Sequence, residues 1–326
     1  MANPVSAAEA PRKRVLVVDY SQSGQLSAVT AQIIAPLLAD DRFAVHVEKL
    51  QPEPAYPFPW PFFRFLDVFP ESAHQVPPRL APLGLRGDEA FDLVILPYQV
   101  WFLAPSLPIQ GFLAHPLAAR LLAGKPVVTV VACRNMWLLA QEKMKARLAR
   151  LGARHLDHVA LTDPGPTLAT LISTPRWMFT GRRDAWLGLP PAGIDAPTVA
   201  AAARFGRALR DALLRDEEQG SGPLLAGLGA VEADPRLLVS ERVGTRSFFL
   251  WGKLLRWVGP PGALRRGPAL IAYMLFLIAA IIAVVPASLA LQTLLRPLFR
   301  RRLAALKTHF EQPSGSGRER LSQYEH

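Results

Sequence analysis

The segment Asp19-Tyr-Ser-Gln-Ser-Gly-Gln-Leu-Ser27 gathers hydroxyl side chains and one glycine between an apolar run and a helical pattern. Backbone N–H groups at such a helix N-terminus, together with serine hydroxyls, suit a phosphate. Ser21, Ser23, Gly24, Gln25 and Ser27 form the expected cradle, with Gln22 and Leu26 inside it. The loop has no lysine, which excludes a triphosphate P-loop, and the absent Gly-x-Gly-x-x-Gly argues against a dinucleotide fingerprint. The chemistry is that of a monophosphate held without a cation; a Ser-rich helix cap with no ligand uses the same residue types. Acid–base groups are sparse. His155 and His158 stand three apart on an expected strand and so on opposite faces, and no metal pair is expected. Asp163, at the end of that strand, could accept a substrate proton or cap a helix. Cys133 adjoins Arg134, whose charge could lower the thiol pKa, although a small buried residue reads the same way. As the only cysteine it excludes an intrachain disulfide framework and a cysteine-based zinc or iron–sulfur site.

The elements that must position these residues alternate. Arg14–Asp19 is a continuous apolar run, as a strand buried on both faces of a parallel sheet reads. Further β-like runs are Phe43–Lys49, Phe91–Pro97, Pro126–Ala132 and His155–Leu161, with helical patterns between them and a last helix expected over Thr198–Arg215. This alternation predicts an α/β fold with a doubly wound parallel sheet of five strands. Two stretches exceed what such a sheet needs: Pro52–Pro78, with the aromatic block Tyr56–Phe65, and Asp163–Gly193, with Trp177, Phe179 and Trp186 beside three arginines. Both begin where a strand ends, at the carboxyl edge where open α/β sheets bind ligands. Packing of long loops would account for the aromatics equally well.

Charge is unevenly spread. The chain of 326 residues has a formal net charge of +11, yet residues 240–326 hold 13 basic and 4 acidic side chains. Ser247–Val258 resembles an interfacial amphipathic helix, and Ala269–Leu295 has no charged residue over a length sufficient to cross a bilayer. Arg265 and Arg266 precede that stretch; Arg296, Arg300, Arg301 and Arg302 follow it. These features predict membrane lipids as the anionic partner and no nucleic acid. A single span is expected slightly ahead of a re-entrant hairpin turning at Pro286. The N-terminus lacks the apolar core of a signal peptide, so the front of the chain is expected in the cytoplasm. The expected organisation is a flexible tail (1–13), an α/β domain (14–218), a linker and amphipathic helix (219–262), a membrane segment with basic flanks (263–303) and a disordered tail (304–326).

Tyr20-Ser-Gln-Ser-Gly-Gln25 is similar to the FMN phosphate loop of flavodoxins, usually Thr/Ser-x-Thr/Ser-Gly-x-Thr, with Leu26 in the place of the last hydroxyl and Ser27 one position on. Pro97-Tyr-Gln-Val-Trp-Phe-Leu-Ala-Pro-Ser-Leu-Pro108 looks like the second flavin loop, and Cys133-Arg-Asn-Met-Trp137 stands where the third does. The resemblance covers residues 14–218 and implies a flavodoxin-like five-stranded sheet with FMN as cofactor. It would place Tyr98, Gln99, Trp101 and Trp137 about the flavin ring and the backbone near Asn135 and Met136 beside its N5 and N1. The first and third loops with the apolar C-terminus resemble, more narrowly, the bacterial flavodoxin-like proteins named for dialkylresorcinol condensation. That implies a membrane-anchored flavoprotein with its catalytic domain in the cytoplasm at the bacterial inner membrane. Its hydrophobic small-molecule substrate, a cyclic diketone from a partner ketosynthase, would be oxidised to an aromatic ring. An electron-transfer or quinone-reducing flavoprotein, and a non-catalytic scaffold recruiting the ketosynthase, are the alternatives.

Overall fold

The structure, a computed structural model, describes residues 11–325, with the side chains of 284–286 and 288–299 outside the described part. Residues 1–10, most of the expected N-terminal tail, lie outside the described residues.

Five apolar runs form one parallel sheet: β1 (Lys13–Asp19), β2 (Phe43–Lys49), β3 (Leu93–Tyr98), β4 (Pro126–Cys133) and β5 (Arg154–Thr162). Their spatial order is 2-1-3-4-5, with every neighbouring pair parallel. That is the flavodoxin-like order, which places the switch point between β1 and β3. Val15–Val18 and all of β3 are buried, because crossover helices cover both faces. The crossovers are α1 (Gln25–Leu38), the pair α3 (Leu107–Ala114) and α4 (Pro116–Leu122), and α5 (Leu138–Arg150). The expected last helix divides at Ala202 into α7 (Ala196–Ala201) and α8 (Ala203–Leu214). Helix α8 packs so tightly on α1 that a Cβ at Gly206 would lie 1.8 Å from the Ile33 carbonyl oxygen.

The two extra stretches hang from the carboxyl edge, as their position in sequence implies. The first carries α2 (Phe62–Ala73) and the second α6 (Thr167–Thr180).

Three expectations about the rest are corrected. The register of β5 against β4 slips at Val127/Val128, where Leu156 is bulged out. The extra residue brings His155 and His158 to one side, each 2.9 Å from Thr129 Oγ1. Burial holds both imidazoles at lowered pKa, and no metal-ligating cluster occurs among the described residues. Second, the α/β core does not stop at residue 218. Leu224, Leu225, Leu228, Ala230 and Val231 are buried in it. Third, the tail expected to be disordered is docked. Ser314 accepts a hydrogen bond from His158 N–H and donates one to Asp157, while Phe310 and Tyr324 join the core. Glycine and serine there serve a close approach of backbone to backbone, with Gly229 N–H bonded to the Gly317 carbonyl and Val231 N–H to that of Gly315.

Two further helices follow the α/β body: α9 (Leu237–Val258) and α10 (Gly267–Glu311). The backbone of α10 is helical through residue 286, so no turn divides it into two arms there. A second apolar core, Leu66, Phe69, Leu255, Leu270 and Tyr273, joins both helices to α2. The buried Arg266 guanidinium locks this junction, 3.0 Å from Asp67 and 2.8 Å from Glu71.

Candidate functional site

A cavity of about 260 Å³ opens at the carboxyl edge, over the β1/β3 switch point. Its floor comes from the β1–α1 loop (Gln22, Ser23, Gln25, Leu26), the segment after β3 (Gln99–Phe102) and the end of β4 (Ala132–Arg134). Its roof comes from the two extra stretches, through Phe58, Trp60, Phe65, Trp177 and Met178. Sequence-distant loops meet here because each follows a strand in the same parallel sheet.

The β1–α1 loop is partly occupied by its own bonds. Ser21 Oγ accepts from the Leu26 N–H at 3.2 Å, and Ser27 Oγ donates to Asp19 at 2.7 Å. The Gln22 side chain links Tyr20 to the carbonyls of Tyr56 and Pro57, tying the first lid to the loop. Its backbone N–H goes to Gln99 Oε1. The Gln25 amide pairs reciprocally with Ile194, tying down the second lid. The three consecutive N–H groups of Ser23, Gly24 and Gln25 have no acceptor among the described residues. Gly24 sits in the left-handed region at φ 82°, with open space where a Cβ would be. Such an amide nest at the start of the 14-residue α1 favours an anion. Asp19 lies behind it, its pKa raised by burial.

Above the nest the walls are aromatic. Trp101 packs edge-on against Tyr56 at 5.1 Å and Trp60 at 5.7 Å, while Arg183 lies over the Trp177 ring. Asp163 lines the cavity, but its two oxygens already accept from the N–H groups of Gly165 and Gly193. It is neither a free base nor the cap of α6, whose N-cap is Pro166; it staples the second lid to the end of β5. Burial also outweighs Arg134 at Cys133 and raises the thiol pKa, so of the two readings the small packing residue stands and the activated thiolate falls. Arg134 itself turns toward α6, bonding the Thr167 carbonyl and Thr170.

Among the residues expected about a flat ring, Gln99 and Trp101 line the cavity and the others do not. Tyr98 points into the core and donates to Gln141 at 2.6 Å. Trp137 is buried against His158, and Asn135 lines a different cleft, beside Arg300 and Lys307. The sulfur of Met136 faces Arg134 at 3.7 Å. Tyr98 is turned inward because the last residue of β3 is still paired with β4 and keeps the strand alternation. Phe58, Trp60, Phe65 and Trp177 line the cavity instead. Their signal in the sequence was the aromatic density of two stretches that begin at strand ends.

No family model matches the chain, and no curated protein sequence matches it. Among solved structures it is similar to a flavoprotein from Lactobacillus acidophilus in complex with FMN, at 13% identity and a TM-score of 0.33, over 46% of this chain and 92% of that one. It is also similar to a flavodoxin from the domain Archaea, at 15% identity and a TM-score of 0.29, over 51% and 94% of the two chains.

Proposed function

We propose that this chain is a membrane-associated FMN-binding oxidoreductase. The observation that carries the reading is the free amide nest of Ser23, Gly24 and Gln25 opening into an aromatic-walled cavity at the switch point of the sheet. The donor set fits a terminal phosphate, and Trp60, Trp101 and Trp177 fit a flat ring. The cavity is somewhat smaller than the roughly 300 Å³ at which small-molecule pockets begin, so the lids must give way for the whole cofactor. Bound FMN would supply a hydride acceptor. The protein's part is to hold the phosphate on the nest, to wall the ring with tryptophans and to exclude water with two lids fastened by Gln22, Gln25 and Asp163.

The membrane half of the reading rests on exposed apolar stripes. The segment Leu264–Ala283 is long and apolar enough to cross a bilayer and only 17% buried. On α10, Ile271, Leu275, Ile278 and Ile282 are exposed at helical spacing; on α9, Val243, Leu250, Leu254 and Trp257 are exposed likewise. Both ends of α10 dock on the same α/β body, through Tyr273 on Phe69 and through Glu311 on the Ala233 N–H. That favours a helix embedded from one face, with both basic flanks on the side of the domain, over the single crossing expected from sequence.

Within this reading the substrate is an amphipathic ring compound. A cyclic diketone from a ketosynthase, aromatised to a dialkylresorcinol, matches a cavity beside a bilayer. Purification in mild detergent should give flavin absorption bands, or regain them on adding FMN; no chromophore and no uptake would defeat the proposal. The non-catalytic alternative draws on Ser21 and Ser27, whose hydroxyls are engaged inside the loop. It predicts a ketosynthase complex that forms equally well when Ser23 and Gly24 are changed.

A further inference from the structure

A groove of about 940 Å³, larger than the cavity, runs between α2 and the turn joining α9 to α10. Phe63 and Val68 of α2, Leu107 of α3, Leu264 in the turn before α10 and Leu270 at the start of α10 give it apolar walls. Its three carboxylates, Glu53, Asp67 and Glu71, are matched in number by Arg64, Arg256 and Arg266 on the same lining, and Arg266 pairs directly with Asp67 and Glu71, so the groove carries no net charge against an apolar occupant. Arg256 on its rim has no carboxylate partner among the described residues. At its mouth Leu264 is 95% exposed and the neighbouring Trp257 is 82% exposed. The groove is therefore continuous with the apolar stripes of α9 and α10. An unpaired arginine and a tryptophan at its mouth are the residue types that sit at headgroup level. At its inner end stands Tyr56, which lines the groove and also packs on Trp60 and Trp101, two walls of the cavity.

We propose that this groove receives one alkyl chain of an amphiphile drawn from the bilayer, with Tyr56 as the partition across which the amphiphile's ring reaches the cavity. The inference rests on the membrane-associated reading above and does not require that FMN be bound. An alkyl chain fits because the walls are apolar, the charges on the lining balance, and the open end continues into surface that lipid would cover.

The test is photolabelling of the full chain in phosphatidylcholine–phosphatidylglycerol nanodiscs containing a phospholipid with a diazirine at the end of one acyl chain. Crosslinks are expected on peptides from residues 54–78 and 254–270 as well as on 271–283. Val68→Trp, which fills the groove, should lower the first two at least fivefold while FMN affinity, titrated in the same nanodiscs, stays unchanged. Val68→Ala should keep them, which separates filling from misfolding. Labels confined to 271–283 in the parent protein overturn the groove whatever the variants do. Failure of the protein to associate with lipid at all, read by flotation with vesicles, overturns the membrane reading and the groove with it.

Discussion

Arg266 should decide whether the stretch carrying α2 behaves as one unit with helices α9 and α10. The change is Arg266→Met, which keeps an apolar stem and removes the charge. The side chain is 1% exposed, and besides its two ion pairs it donates to the carbonyls of Leu255 and Gly259 at 3.1 and 2.8 Å. Its loss leaves Asp67 and Glu71, one turn apart on α2 and mostly buried, as uncompensated like charges. Breaking a buried pair from one side costs about 3–5 kcal/mol. At about 1.4 kcal/mol per tenfold, hydrogen exchange in α2 should speed by roughly two to three and a half powers of ten. The α/β sheet has its own core and should keep its protection. Adding Asp67→Asn and Glu71→Gln should recover most of the loss, because the orphaned charges are what make it expensive. Exchange in α2 that changes less than tenfold, or sheet protection that falls in step with it, refutes the clamp.

Gly24→Ala meets no clash but must hold φ 82°, so stability should fall by about 1 kcal/mol and FMN affinity about tenfold, with Gly24→Asn milder. Flavin fluorescence titration checks it, and unchanged affinity for Gly24→Ala removes the nest from the cofactor site. Burial pushes the Glu241 carboxyl from 4.5 up to about 7, against the N–H groups of Leu139 and Leu138 that it accepts. The native state therefore keeps a proton that the unfolded chain has released between those values, and this group's contribution to stability falls by roughly 3 kcal/mol as pH rises through the window. Because burial depresses His155 to about 4 and so acts in the opposite sense, the measurement is a difference. Denaturation of Glu241→Gln against the parent should show the variant gaining by that amount from pH 4.5 to pH 8, and a pH-independent difference rules it out.

The sheet was legible because its strands are buried on both faces, and a continuous apolar run needs no partner to be read. All five expected strands lie within two residues of the observed ones at each end. The β1–α1 loop was legible as a loop, but not the direction of its hydroxyls: Ser27 turns to Asp19 because both lie at the β1–α1 junction, a contact set by geometry. Most of the residues expected about a ring do not line the cavity, since side-chain direction at a strand end depends on where pairing stops, and Tyr98 is still paired. The docked tail had only a sparse apolar signature, Phe310 and Tyr324 standing fourteen residues apart. It is held by Ser314 on the buried Asp157 and by glycine backbones, a polar contrast that composition reads as disorder.

The helix α2 belongs to both halves of the molecule, and this changes what a domain boundary at residue 218 would mean. Phe65 faces the cavity, Leu66 and Phe69 lie in the core shared with α9 and α10, and Asp67 and Glu71 hold Arg266. Removing everything after residue 218 would expose Leu66 and Phe69 and leave two carboxylates without their cation. It would also uncover Leu138 and Leu139, whose N–H groups Glu241 satisfies at the start of α5. Helices α9 and α10 are thus part of the packing of the stretch that roofs the cavity. A perturbation that moves α9 and α10 acts directly on that roof, because one helix is the wall of both.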